Sequence, residues 1–521
     1  MNEIYLYKKP HVAPRTINVG LSYPSTYYYG MSVIGYLSLF KEFDMNENVC
    51  AQRIFLNSKM LAFEPKCLDL IGFSCVFELD ILQIFKILKK YGFKLKASQR
   101  RKKYPLIFAG GPVITSNPEP FADFFDFMII GDGEGIADEI TKVYLRNKHK
   151  SKAELLLELS KIEGIYVPSL YNVKYEDKKI KAFYPVNEQV NRFVKKRTVF
   201  SEKCLYSPII SEDTFYSNTV FIEIARGCPT ACKFCSAHWQ NRPMRFYDIK
   251  YIKKAIKKAS KYAKKIVFIG AMITKHPDFN EICLYLKKLK EKKKIQVEFS
   301  SMSFEHFCEH VPDLIEEKTV SLAIECGSEQ LRFKMGKMVS DERILETLDY
   351  YVQKGIEKFN LYFMIGLPEE TQEDIDKYIE FSKKLKEIYP NISFYHILST
   401  FIPKPATPFE RRARKNNATL KTYLEQIKAE FEKNDIQLST SFLHNDAFNA
   451  LVSLGDRRLG CYLEHAFEKN IPVKNLIKEY RKFMRKHNAK ALPEEQLPHY
   501  SEYIYKEKMV AELLPWEFIQ Y

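Results

Sequence analysis

The sequence predicts an α/β protein in which two parallel-sheet units precede a helical region. Short apolar runs alternate with segments whose apolar residues recur at helical spacing. Small or turn-forming residues follow these runs. The alternation is typical of buried parallel strands separated by helices. We therefore expect a doubly wound, Rossmann-like parallel sheet in residues 1–150, a linker region with a small hairpin in 151–215, a partial (β/α)6 barrel in 216–410 and a helical domain in 411–521.

The first unit has four predicted strands: Thr16–Ser22, Leu70–Ser74, Pro105–Ala109 and Phe125–Ile130. Helices are predicted at 30–43 and 79–91, and the hairpin from segments 164–167 and 173–175. Ligands of such sheets bind at the carboxyl ends of the strands. Glycine there lets the backbone approach a flat or phosphate-bearing ligand, although any one glycine could simply form a turn. The candidate binding residues at these ends are Ser74, Gly110, Gly111, Pro112, Gly131 and Gly133.

The second unit has six predicted strands: Val220–Ala225, Lys265–Ile269, Gln296–Ser300, Val320–Glu325, Phe359–Ile365 and Ser393–Ser399. Predicted helices lie between them, at 248–262, 278–292, 304–317, 328–353 and 371–387. Six alternating strands and helices suggest a partial barrel rather than a full eight-stranded one. Its chemistry should lie at the carboxyl ends of the strands.

Three cysteines, Cys228, Cys232 and Cys235, follow the first barrel strand in a C-x3-C-x2-C spacing. Three thiolates this close together can hold three irons of a [4Fe–4S] cluster and leave the fourth iron open. Zinc is the alternative, and His238 is then the candidate fourth ligand. A disulfide is less favoured, because the cysteines form an odd, clustered trio.

The cysteine loop resembles the cluster loop of the radical S-adenosylmethionine (SAM) superfamily. The resemblance implies that the open iron binds SAM and that one electron, from a donor such as flavodoxin or ferredoxin, cleaves it to a deoxyadenosyl radical. The segments Glu325-Cys-Gly-Ser-Glu-Gln-Leu-Arg332 and Gly366-Leu-Pro-Glu-Glu-Thr371 resemble superfamily elements at later strand ends. They imply that Glu325 bonds the ribose and Arg332 clamps the SAM carboxylate. The full set of implied SAM contacts is Gly270, Ser300, Glu325, Ser328, Arg332, Gly366 and Pro368.

The front unit resembles the cobalamin-binding domain that precedes many radical SAM domains. The matching segments are Gly72–Cys75, Gly110–Glu119 and Ile130–Glu134, so the resemblance makes the six strand-end residues above candidate cobalamin contacts. Families with a protein ligand to cobalt use Asp-x-His-x-x-Gly in the first strand–helix loop. Here that loop, Pro24–Gly30, contains no histidine. Cobalamin would therefore bind without a histidine below the cobalt, or the domain has lost it.

The C-terminal region resembles the tail of uncharacterised radical SAM proteins through Gly455-Asp-Arg-Arg458 and Leu513–Glu517. Asp456, Arg457 and Arg458 either bind a substrate anion or form a salt-bridged helix end. The chain has 521 residues and a net charge of +16, much of it in lysine-rich helical stretches. This charge permits nucleic-acid contact, but no recognition motif accompanies it. The chain has no run of eighteen apolar residues and no secretory start, so we expect a cytoplasmic protein.

These observations predict a radical SAM enzyme that starts radical chemistry on an unactivated carbon, with cobalamin-dependent C-methylation as the favoured reaction. One alternative is a radical SAM enzyme without cobalamin, such as a methylthiotransferase or another modifier of RNA, protein or lipid. Methylthiolation would require a second cysteine cluster, for which Cys50, Cys67 and Cys75 are available. A nucleic-acid-binding or sensor protein with an Fe–S cluster is the alternative outside enzymes.

Overall fold

The fold is given by a computed structural model, which describes residues 2–10, 17–58, 64–100, 105–300, 302–305, 308–441 and 443–521. Thr16, the first residue of a predicted strand, lies outside the described residues, as do 306 and 307 of a predicted helix. The α/β class is confirmed: a parallel-sheet unit precedes a parallel-stranded barrel, and the C-terminal region is helical.

Over the described residues, the front unit is a six-stranded sheet. Its strands are β1 (Ile17–Ser22), β2 (Val49–Ile54), β3 (Leu70–Ser74), β4 (Leu106–Gly110), β5 (Phe127–Ile129) and β6 (Ile165–Tyr166). Their order across the sheet is β2-β1-β3-β4-β5-β6. The first five are parallel, and β6 is antiparallel to β5. The prediction missed β2 because its sequence, Val-Cys-Ala-Gln-Arg-Ile, is an edge strand without a continuous apolar run.

The front helices bury one apolar face against this sheet. Ile81, Ile84, Phe85 and Leu88 recur at helical spacing and are all buried. The helices of this unit are Tyr27–Gly30, Ile34–Met45, Asp80–Lys90, Pro112–Ser116, Ile136–Asn147 and Lys152–Leu159.

A hairpin is present in the predicted region, but one of its two strands differs from the prediction. The first predicted arm forms β6, which pairs with β5 at the edge of the sheet. The hairpin itself consists of β7 (Tyr171–Glu176) and β8 (Lys179–Pro185), joined at Asp177 and Lys178, which both have positive φ. The polar, alternating sequence of β8 gave no apolar run to detect.

Over the residues that the structure describes, the barrel has seven strands in two parallel sheets, whereas six were predicted. One sheet has the order β9-β10-β11 and the other β12-β13-β14-β15. Their bounds are β9 (Thr219–Glu223), β10 (Lys265–Ile269), β11 (Gln296–Phe299), β12 (Thr319–Glu325), β13 (Lys358–Ile365), β14 (Ser393–Thr400) and β15 (Gln437–Thr440).

The barrel helices lie between the strands and cover their outer faces. The predicted helix 328–353 is two helices, because Gly336 adopts a positive φ of 81° after the first one. The helices are Ser236–Trp239, Ile249–Ala259, Phe279–Lys290, Val311–Leu314, Glu329–Lys334, Asp341–Gln353 and Gln372–Ile388.

The C-terminal helices divide between the two units instead of forming a core of their own. Helix Asn417–Lys433 packs into the barrel core through Leu420 and Ile427. Phe448, Tyr462 and Trp516 share one continuous core with the front sheet. The later helices are Leu443–Leu454, Leu459–Glu468, Leu476–Asn488 and Tyr500–Ile504. Within the described ranges, every helix is too short or too polar to cross a membrane.

Candidate functional site

A cavity of about 520 Å³ lies between the carboxyl edge of the front sheet and the first strand ends of the barrel. The front wall includes all six predicted strand-end residues: Ser74, Gly110, Gly111, Pro112, Gly131 and Gly133. The barrel wall includes Gly227, which precedes Cys228, and Gly270, which follows β10. Among the described residues that line the cavity there is no histidine.

Two of the front glycines shape the cavity in different ways. Gly111 has φ of 111°, and a Cβ there would lie 2.4 Å from the carbonyl oxygen of Cys75, so the turn after β4 requires glycine. A Cβ at Gly133 would have no heavy atom within 4 Å, because it would project into open space. Gly111 therefore fixes the wall, while Gly133 keeps the cavity open.

The cysteine loop is held by hydrogen bonds to its own backbone. The Nδ1 of His238 lies 2.6 Å from the carbonyl oxygen of Cys228, and the indole Nε1 of Trp239 donates to that of Cys232 at 2.9 Å. Burial raises the pKa of the Cys232 thiol to about 12, and the charges of Cys235, Glu325 and Cys228 act in the same direction. Burial likewise raises the pKa of the Cys235 thiol.

The three thiols are close together in the sequence, but their sulfur atoms are not arranged around one common point. Over the part of the chain that the structure describes, no three His, Cys, Asp or Glu side chains are placed to hold one metal ion. Cys232 is buried and its Sγ lies 3.9 Å from the carbonyl oxygen of Gly336. Binding a cluster would therefore draw the sulfurs together and displace the thiol protons.

Glu325 ends β12 in a conformation that few side chains adopt. Its φ is 76°, and the strand register shifts between Ala323 and Glu325. Such outliers cluster at functional sites. Burial raises the pKa of the Glu325 carboxyl, and the Lys337 ammonium opposes that shift. The Glu325 charge also raises the pKa of the Cys232 and Cys235 thiols. Lys337, which sequence reasoning missed, follows a helix end and belongs to no strand-end motif.

Arg332 and Ser328 have internal partners, and the contact between Arg332 and a SAM carboxylate stays a prediction. The Arg332 side chain is fully buried and forms an ion pair with Asp341. Its Nε donates to the carbonyl oxygen of Val339 at 2.9 Å, and its Nη1 to that of Cys326 at 2.8 Å. Ser328 caps the helix Glu329–Lys334. Both residues hold the turn after Glu325 in place.

The remaining predicted SAM contacts lie at three other barrel strand ends. The backbone N–H of Gly366 donates to the Glu370 carboxylate at 2.6 Å, which closes the turn containing Pro368. Burial raises the pKa of Glu370 to about 8. Ser300 is exposed, and its N–H donates to the carbonyl oxygen of Phe268 at 3.0 Å. Of the seven predicted contacts, Gly270 lines the cavity.

An ion-pair network joins the two walls of the cavity. Asp132, in the loop after β5, accepts from Arg226 at 3.0 Å and from Arg245 at 2.6 Å. Arg226 also pairs with Glu134 and Glu223. Burial raises the pKa of Asp132, but the two guanidinium groups outweigh it and the pKa is lowered. The network links the glycine loop of the front sheet to the residues before Cys228. Sequence reasoning identified both segments but not their pairing.

The Gly455–Arg458 segment is a structural connection, as the salt-bridge alternative predicted. Arg457 pairs with the buried Glu119 at 2.8 Å, and Arg458 pairs with Asp456 at 2.7 Å. Asn117 donates to the carbonyl oxygens of Ser453 and Gly455. These contacts attach the C-terminal helices to the front sheet.

Two family models match this chain. Residues 222–382 match the radical SAM superfamily, and residues 38–168 match the family described as radical SAM proteins, N-terminal. The chain is a radical SAM protein.

An uncharacterised protein of Methanocaldococcus jannaschii is 27% identical over 454 residues, which are 86% of this chain and 91% of that protein. A threonylcarbamoyladenosine tRNA methylthiotransferase of Aquifex aeolicus is 24% identical over 233 residues, covering 41% of this chain and 55% of the relative.

Two solved structures share the fold. One is the cobalamin-dependent SAM radical enzyme OxsB with aqua-cobalamin and SAM bound, with a TM-score of 0.51, 15% identity and coverage of 92% of this chain and 74% of that one. The other is the radical SAM methyltransferase TsrM from Kitasatospora setae with tryptophan and a SAM analogue bound, with a TM-score of 0.50, 11% identity and coverage of 76% and 75%. At these identities the similarity shows the fold alone.

Membership of the superfamily implies a [4Fe–4S] cluster and SAM as cofactors. The residues present fit the cluster. Cys228, Cys232 and Cys235 supply the three thiols that a cluster with one open iron needs. Their loop lies at the carboxyl end of the first barrel strand, beside Glu325, and favours iron over the zinc alternative because it occurs within a radical SAM barrel.

Proposed function

We propose that this radical SAM protein is a cobalamin-dependent methyltransferase that acts on an unactivated carbon. The observation that carries the proposal is the shared cavity. The carboxyl ends of β3, β4 and β5 form one wall, and Arg226, Gly227 and Gly270 from the barrel form the other. A ligand held by the front strand ends would therefore lie next to the cysteine loop.

The residues of the cavity wall suit a corrin macrocycle. Gly110 and Gly133 present backbone rather than side chains to a flat ligand. No described lining residue is a histidine, so this wall would offer no protein imidazole to a corrinoid. When bound, the cluster and SAM supply the radical that removes a hydrogen atom, and the corrinoid supplies the methyl group.

The protein would position the two cofactors and exclude water. Cys228, Cys232 and Cys235 would hold the cluster. Glu325 and Lys337 supply one anion and one cation beside it, which match the ammonium and carboxylate ends of SAM. The Asp132–Arg226 pair holds the front wall against the barrel wall, so the distance between the two cofactors is fixed by the fold.

Methylthiolation is the second candidate, because tRNA methylthiotransferases are among the relatives. The positions of the front thiols argue against it. Cys50 and Cys67 both adjoin Asn18 at the amino end of the sheet. Cys75 follows the carboxyl end of β3, and a five-residue strand separates it from Cys67 by about 16 Å. These three thiols cannot share one cluster in this fold.

The proposal is tested on full-length protein purified without oxygen from cells supplied with cobalamin. We expect iron near four per chain, stoichiometric cobalt, and deoxyadenosine formation from SAM with reduced flavodoxin as the electron donor. Iron and SAM cleavage without cobalt would remove cobalamin-dependent methylation and leave a radical SAM enzyme of another kind. Zinc in place of iron would exclude radical chemistry altogether.

A further inference from the structure

Lys196 is a buried ammonium without a carboxylate partner. Its residue is 5% exposed, and it lines the cavity between the two units. The Nζ donates to the hydroxyl of Thr198 at 2.7 Å. Among the described residues, no carboxylate oxygen lies within 4.0 Å of this nitrogen. The stem of the side chain passes along Gly131, where an added Cβ would lie 2.9 Å from the Lys196 Cγ.

The surroundings of Lys196 do not compensate its charge. Burial lowers the pKa of the Lys196 ammonium; Asp132 opposes that shift, and Arg245, Arg226 and Arg242 add to it. Asp132 already accepts from Arg226 through one oxygen and from Arg245 through the other.

Several other buried or half-buried cations have a carboxylate partner, whereas the buried Arg414 bonds to carbonyl, amide and hydroxyl oxygens. Arg226 and Arg245 share Asp132, and Arg457 pairs with Glu119. A buried charge is costly unless it is paired. Lys196 is thus a buried cation at the cavity wall without an ion-pair partner, which indicates that the missing anion belongs to a ligand.

We propose that Lys196 is an anion-binding subsite of the interdomain cavity and receives an oxyanion of the ligand held there. Resting on the proposed function, this oxyanion is the phosphodiester in the nucleotide loop of cobalamin. Lys196 and the glycine loop Gly131–Gly133 then bind the same ligand from adjacent positions: the glycines admit the flat ring, and the ammonium pairs with the charged tail.

The test compares three variants of the full-length, cluster-loaded protein. Lys196→Met removes the charge and keeps an unbranched side chain, and a buried charge replaced in this way usually leaves a protein folded. Lys196→Arg keeps the charge. Lys195→Met is the matched control, because Lys195 is exposed and pairs with Glu163. The probes are inorganic phosphate, cobalamin, and cobinamide, which lacks the nucleotide loop and its phosphate.

We expect Lys196→Met to weaken phosphate binding at least about tenfold, as one lost charge-assisted contact would. It should weaken cobalamin binding to a similar extent and leave cobinamide binding unchanged, while Lys195→Met changes none of the three. A loss of phosphate binding with unchanged cobalamin affinity would keep the subsite but assign its anion to another ligand, such as the SAM carboxylate, which a SAM titration would detect.

Two results would overturn the proposal. One is phosphate binding that Lys196→Met leaves intact, and the other is a wild-type protein that binds no phosphate. Failure of the wild type to bind either corrinoid would instead refute the proposed function, and the phosphate comparison would still decide the role of Lys196.

Discussion

The carboxyl edge of the front sheet and the carboxyl edge of the barrel differ in the residues that they offer to a ligand. On the front sheet, all six predicted residues line one cavity. On the barrel, Gly270 lines that cavity and Glu325 lies beside the cysteine loop, whereas Arg332 and Ser328 serve the turn that follows Glu325. The front edge is built mainly from backbone, and the barrel edge from a few charged side chains.

This difference shows which part of a site follows from topology. A glycine that follows a parallel strand lies at the carboxyl edge of the sheet because of the strand direction alone. The orientation of the neighbouring side chains does not affect this position. The direction of a side chain depends on local φ and on the acceptors within reach. Glu325 has a positive φ at the end of its strand, and Arg332 turns inward because backbone carbonyl oxygens and Asp341 accept from it.

The largest effect is expected at the cysteine loop, where the barrel edge depends on named side chains. Cys232→Ser should remove one cluster ligand and abolish SAM cleavage, a loss of at least about a thousandfold for an enzyme whose radical chemistry depends on the cluster. Deoxyadenosine formation and iron content measure it. Cys67→Ser, at an exposed thiol of the front sheet, should keep full activity. Loss of activity in that control would revive a second cluster and methylthiolation.

The front edge should instead respond to added volume. Gly133→Leu places a side chain in open cavity space, so we expect at least about tenfold weaker cobalamin binding with an unchanged melting temperature. Gly111→Ala should do the reverse by destabilising the fold, because its Cβ would clash with the carbonyl oxygen of Cys75. Cobalt content and thermal unfolding separate the two effects. Cobalamin bound at wild-type affinity by Gly133→Leu would place the corrinoid elsewhere.

Much of the fold could be predicted because its strands are buried and apolar. β3, β4 and β10 appear in the sequence as continuous apolar runs between turns. The strands β2 and β8 could not, since polar residues interrupt their apolar ones and both are half-buried. Asp132, Arg226 and Lys196 were also not found: their roles arise from contacts between the two units, and no local pattern encodes them.

Variants of Glu325 and Arg332 separate two roles at the barrel edge. One is contact with SAM, and the other is stabilisation of the fold. Glu325→Gln should raise the KM for SAM about tenfold by removing a charge beside the cysteine loop, with little change in stability. In Arg332→Lys, a single ammonium cannot make all the hydrogen bonds of the buried guanidinium. We therefore expect this substitution to cost about 3 kcal/mol of stability with an unchanged KM for SAM. Kinetics and thermal unfolding on both variants measure this. A raised KM in Arg332→Lys alone would return the SAM clamp to Arg332.

The smallest effect concerns the turn at the end of β13, where Glu370 is buried and accepts from Gly366. Its pKa of about 8 lies above the ordinary 4.5, so the folded protein holds this proton more tightly than the unfolded chain. The stability that protonation contributes is complete below pH 4.5 and is lost as the pH rises towards 8.

Glu370→Gln stays neutral and still accepts from Gly366. Its advantage over the wild type should therefore grow from near zero at pH 4.5 to about 2 kcal/mol at pH 6. Unfolding at the two pH values measures it, with the exposed Glu369→Gln as the control. An advantage equal at both pH values would mean that folding does not raise the pKa of Glu370.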